Sequence, residues 1–195
     1  MSPTPAGYTY DDSSPAASPV GAADPADLRA SVLWSEADAA ALRRASEIPV
    51  PQTDQILDVW YGFVGANPHL VASFAGADGQ PDGAYLAAVR PRFGRWIADV
   101  CTREYDDAWL AYREEVALRH HTAGKNRTDG VESPAGHVPL RHLIALVVPI
   151  TMTIRDFLAS GGAPTEEVDA MYNAWFKAVT LSVALWARPY NPDLW

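Results

Sequence analysis

The chain has 195 residues, enough for one domain with a sizeable apolar core, and its 24 acidic against 15 basic residues give a formal charge of -9. That balance, with no long Lys/Arg run, argues against a phosphate backbone as partner, and Cys101, the only cysteine, excludes an internal disulfide and any multi-cysteine metal or iron–sulfur site. No apolar stretch is expected to reach the ~18 residues of a membrane span and the N-terminus lacks a signal-peptide pattern, so the expected setting is the cytoplasm, away from membrane and nucleic acid.

Residues 1–23 carry Pro, Ser, Ala and Gly around Tyr8 and Tyr10, a composition that cannot build its own core, so a tail is expected there and one domain over 24–195. From Asp24 onward apolar residues recur at helical spacing, and strand-like alternation is nearly absent. Asp24-Pro25 marks a helix start, and Ser35 with Asp38 resembles a capping box, which predicts helices over about 25–33 and 36–47. A third helix follows Pro51, carries Ile56, Leu57, Trp60, Tyr61 and Val64, and ends near Asn67-Pro68. Beyond a Gly/Asp/Pro loop at 76–83, a strongly periodic helix bears Leu86, Val89, Phe93, Trp96, Ile97 and Val100, with Pro91 inside it.

The next predicted helix, about 106–121, sets Trp109, Tyr112, Val116 and His120 at steps of three, four and four, so His120 ends an inward stripe. A polar connection, 122–138, leads to a long helix at 140–158 containing Pro149. The last helix starts at Pro164 and lines up Val168, Met171, Trp175, Val179, Val183 and Trp186. The expected class is all-α.

The five histidines, at 69, 120, 121, 137 and 142, make no zinc-binding spacing, and no GxGxxG, GxxxxGKS/T or GxSxG motif occurs. What remains is His120, pointing inward among aromatic rings. Periodicity alone leaves it either a metal ligand or a histidine of the satisfied core or the surface.

Four blocks, WYGFVGANPHL at 60–70, YLAAVRPRFGRWI at 85–97, LRHH at 118–121 and MYNAWFKAVTLSVALW at 171–186, resemble the corresponding stretches of protoglobins, and the likeness begins at Gly7-Tyr8-Thr9-Tyr10. The resemblance implies a globin fold of the globin-coupled sensor lineage with an added N-terminal helix and tail. It also implies haem b as cofactor, with His120 as the proximal iron ligand and His121 off the iron, exposed or behind the ligand. Such an imidazole uses its second ring nitrogen to fix its orientation.

On the distal side the resemblance places Trp60, Tyr61, Phe63 and Phe93, with Tyr61 as the expected hydrogen-bond donor to a bound gas; plain core packing is the alternative for each ring. Tyr112, Leu146 and Ile150 complete the implied pocket. Arg92 is the basic residue matched to a haem propionate, preferred to Lys125 for its two parallel donors, with surface charge as its alternative. The tail, through Tyr8 and Tyr10, is expected to cover the haem edge without contributing to the core. Leu146 and Val148 stand where aromatic residues are expected, a departure that would widen the pocket or a tunnel.

These features imply a binder of O2, CO and NO. Two other readings stay open: a haem enzyme acting on NO or nitrite, or in peroxidase-like or carbene chemistry, and a gas-sensing module signalling in trans. A homodimer through the 140–158 and C-terminal helices is what the family implies.

Overall fold

The computed structural model describes residues 4–10, 12, 15–21 and 23–194, and among them it contains eight α-helices and no strand, only an isolated bridge between Ala75 and Pro81. In chain order these are α1 (Ala23–Ser31), α2 (Glu36–Ala45), α3 (Thr53–Gly65), α4 (Pro68–Val71), α5 (Gly83–Thr102), α6 (Asp107–His120), α7 (Leu140–Ser160) and α8 (Thr165–Ala187). The all-α expectation holds, and the predicted starts and stops lie within a few residues of these bounds.

Local chemistry fixes where several helices begin. Asp38 accepts from the Ser35 backbone N–H at 2.7 Å, closing the capping box of α2, and Lys177 of α8 binds the same carboxylate at 2.9 and 3.0 Å. Asp82 caps α5 by accepting from the Tyr85 backbone N–H at 2.9 Å, and Asp106 caps α6 through that of Trp109 at 2.8 Å.

The hub of the core is α8, which packs against α7, α2, α6 and α5. Its buried stripe, Val168, Met171, Trp175, Val179 and Val183, meets Leu57, Trp96, Ile97 and Ile154 in one cluster. A second cluster corrects the reading of the tail. Tyr8 and Tyr10, each 6% exposed, and Val20 pack with Trp109, Tyr112 and Leu185. The N-terminal segment cannot build a core of its own, but its few large side chains complete one that α6 and α8 leave open.

A second correction concerns α7. At 21 residues, with a mean hydropathy of 1.7 over its most apolar stretch, it is long and apolar enough to cross a membrane by length and composition, contrary to the expectation that nothing in the chain is. The reason is that both of its faces are apolar. Leu143, Ile154 and Leu158 are buried, while Ile144, Val148 and Met152 are exposed.

Candidate functional site

A cavity of ≈ 240 Å³ lies where α3, α5, α6, α7 and α8 converge. A single water needs about 10–15 Å³ by the same measure, so the space suits an organic group. Its walls are mainly apolar: Trp60, Tyr61, Val64, Leu70, Phe74, Val89, Phe93, Trp96, Tyr112, Val116, Leu143, Leu146, Val147, Ile150, Val179, Val183 and Trp186. Its polar groups are Ser73, Tyr85, Arg92, Arg119, His120, Lys125, Asn126, Thr128 and Asp129.

His120 is held by four separate contacts. Its Nδ1 lies 2.8 Å from the carbonyl oxygen of Val116 one turn earlier. A carbonyl can only accept, so Nδ1 carries the proton and Nε2 keeps its lone pair. Trp186 stacks on the ring at 5.1 Å between centroids. As the last residue of α6, His120 has a carbonyl without a helical partner, and the Val138 backbone N–H, at 2.8 Å, and the Tyr190 hydroxyl, at 2.9 Å, both reach it. The Tyr190 hydroxyl also lies 2.5 Å from the Val138 carbonyl, which ties the far end of the 121–139 connection to the same point.

Burial pushes the His120 pKa down to about 4, so the ring is neutral at ordinary pH and its second nitrogen keeps an unprotonated lone pair. His121 follows in extended backbone, does not line the cavity, and sets its ring against Tyr190 at 5.1 Å.

On α3, Trp60 and Tyr61 project ~100° apart and both line the cavity. Phe93 meets the Trp60 ring edge-on at 5.7 Å. The Tyr61 hydroxyl has no hydrogen-bond partner among the described residues, and burial raises its pKa to about 12, which keeps it a donor.

Of the nine residues expected at the site, His120, Trp60, Tyr61, Arg92, Phe93, Tyr112, Leu146 and Ile150 line the cavity. Phe63 does not. It is 38% exposed and rests against Trp60 at 5.8 Å, because a residue two positions from Tyr61 is turned ~200° around the helix. The same geometry separates Leu146 from Val148, which points outward at 59% exposure and so cannot widen the pocket.

Arg92 borders the cavity, but its two Nη atoms are held by Asp129 at 2.9 and 2.6 Å, and Nη1 also donates to the Ala6 carbonyl at 2.8 Å. Sequence reasoning missed Trp186 and Tyr190 as supports of His120, and Tyr85 and the 121–139 connection as lining. The Trp186 stripe was visible, but its register against His120 depends on how α6 and α8 cross.

A family model for Protoglobin matches residues 22–195. The chain belongs to the protoglobin family. A comparison with curated proteins finds no significant match. Family membership gives the chain haem-based gas binding as its function and haem as its cofactor. The cavity fits that group on its own chemistry: a mainly apolar space, a neutral histidine with its outer nitrogen unprotonated, and cationic side chains for the carboxylates of a protoglobin haem.

Proposed function

We propose that the chain binds O2, CO or NO at a haem b held in this cavity, with His120 Nε2 as proximal ligand. When bound, haem iron supplies an open coordination position for a diatomic gas. The observation that carries the reading is the His120 arrangement: a Val116-bonded Nδ1, a stacked Trp186 and a pinned helix end leave one lone pair facing an apolar cavity.

The remaining roles belong to this chain's own side chains. Trp60, Phe93 and Ile150 exclude water and limit the room for a gas, and the unpartnered Tyr61 hydroxyl donates to it. Tyr112 and Leu146 close the walls. Propionates belong at the polar end of the cavity.

We also infer a cytoplasmic homodimer. Ile144, Val148 and Met152, four residues apart along α7, form an apolar stripe at 56%, 59% and 65% exposure, a face suited to a second copy of the same helix.

The test is an absorption spectrum of the ferrous, haem-reconstituted chain before and after CO. A Soret band of five-coordinate type that shifts on CO addition is expected. No Soret band after haem addition, or a band insensitive to CO, would refute the reading.

A further inference from the structure

Three cationic side chains border the cavity, and two of them are already neutralised. Arg92 is committed to Asp129, and Arg119 Nε binds Glu115 at 2.9 Å. Lys125 differs. It is 7% exposed, and its Nζ meets only neutral acceptors, the Tyr85 hydroxyl at 3.0 Å and Asn126 Oδ1. No carboxylate lies within ion-pair distance of it among the described residues.

A buried cation without counter-charge is costly, and its desolvation is repaid only by an anion placed beside it. The Tyr85 hydroxyl accepts from the ammonium and therefore keeps its own proton to give. Together the two side chains offer an ammonium and a phenol O–H to the same point in the cavity. Arg92 has no comparable freedom. Turning it towards a ligand would strand Asp129, whose side chain is only 13% exposed, and release the Ala6 carbonyl.

Resting on the haem reading above, we propose that Lys125 and Tyr85 form the carboxylate-binding end of the cavity, taking a propionate of the tetrapyrrole, while Arg92 latches the N-terminal segment to the 121–139 connection. Burial pushes the Lys125 ammonium down to about 8 against the smaller opposing pull of the Asp129 carboxylate, which Arg92 already holds, and burial holds the Tyr85 hydroxyl up at about 12, as a donor. The latch is close-fitting. Gly7, beside Ala6, has φ +74°, and a Cβ there would lie 2.6 Å from Thr128 Cγ2 and 3.0 Å from Arg92 Nη1.

Protoporphyrin IX and its dimethyl ester share one ring and differ in carboxylate charge, and lacking iron they keep His120 ligation out of the readout. Both are titrated by fluorescence against the full chain, Lys125→Met, Lys125→Arg, Tyr85→Phe and Arg92→Met. Lys125→Met is expected to weaken the diacid by about 10- to 100-fold and the diester by less than roughly twofold. Lys125→Arg should retain most of the acid preference, Tyr85→Phe should show a smaller acid-selective loss, and Arg92→Met should act on both porphyrins alike.

Equal weakening of both porphyrins by Lys125→Met, or acid-selective loss in Arg92→Met alone, overturns the proposal. Binding of both by the unaltered chain with no preference for the acid overturns it too and leaves the haem reading standing. Failure of the unaltered chain to bind either porphyrin overturns both.

Discussion

The Tyr8 hydroxyl donates to the buried carboxylate of Asp99, 91 positions further along the chain, at 2.9 and 3.0 Å. Asp99 is 3% exposed, and its other acceptor capacity is met by Arg103 Nε at 3.2 Å. The N-terminal segment is thereby joined to α5 by a polar bond and to α6 by the Tyr112 ring, 5.3 Å from Tyr8 and 5.0 Å from Tyr10.

Tyr8→Phe keeps the ring packing and removes only the donor to a charged group, so a loss of about 1–3 kcal/mol in unfolding free energy is expected. Deleting residues 1–20 should cost more, because three buried side chains go with it. Chemical denaturation of both proteins checks this. Unchanged midpoints in the truncated chain would mean that the segment covers the domain without stabilising it.

Tyr61→Phe tests the distal side. The substitution keeps the ring and deletes the hydroxyl, and O2 takes up more charge on binding than CO, so the O2 dissociation rate should rise by about 10- to 100-fold and the CO rate much less. Stopped-flow measurement of both gases decides it. Equal changes would show that Tyr61 acts by its volume alone, and a larger O2-selective effect in Trp60→Phe would move the donor role to the Trp60 indole.

Much of this was legible in the sequence, and the failures have physical reasons. The long helices announce themselves because Phe93, Trp96, Ile97 and Val100, or Met171, Trp175 and Val179, repeat at a helical period that only one buried face explains. Four-residue α4 is too short to show a period. The 121–139 connection lines the cavity with Lys125, Thr128 and Asp129, polar residues without periodicity that read as an exposed loop. Composition hid the tail, since Tyr8, Tyr10 and Val20 are outnumbered by Pro, Ser and Ala and gain their burial from partners about a hundred or more residues away in sequence. Resemblance supplied residue types at the site, whereas helix phase decides which of them face inward: Tyr61 does and Phe63 does not.

Lys125 gives a pH-dependent prediction. Its folded pKa of about 8 lies below the ordinary 10.5, so between these values the unfolded chain binds more protons and stability rises with pH; below pH 8 the burial cost is fully present. In the porphyrin-free chain, Lys125→Met should therefore be stabilising at pH 7, by about 1–2 kcal/mol, less than the full shift converts to because the ammonium is only partly desolvated and solvent screens it. The gain should fade by pH 10.5. Urea melts of both proteins at pH 7 and pH 10.5 test it, and a difference that does not change with pH would contradict the assignment.

The exposed stripe of α7 is testable through assembly. Val148→Glu sets a charge in the middle of Ile144, Val148 and Met152 and, being on the outer face, should leave the fold and the cavity intact. Sedimentation is expected to show dimers of the unaltered chain and monomers of the variant. Dimers in both would place the interface elsewhere.

The central claim is that His120, and not its neighbour, holds the cofactor through a nitrogen left free by the Nδ1 bond to Val116. Its most direct test is resonance Raman spectroscopy of the ferrous, haem-reconstituted His120→Ala and His121→Ala chains. The proximal iron–nitrogen stretch should vanish in His120→Ala and persist unchanged in His121→Ala. Loss of that band in His121→Ala with retention in His120→Ala would contradict the account.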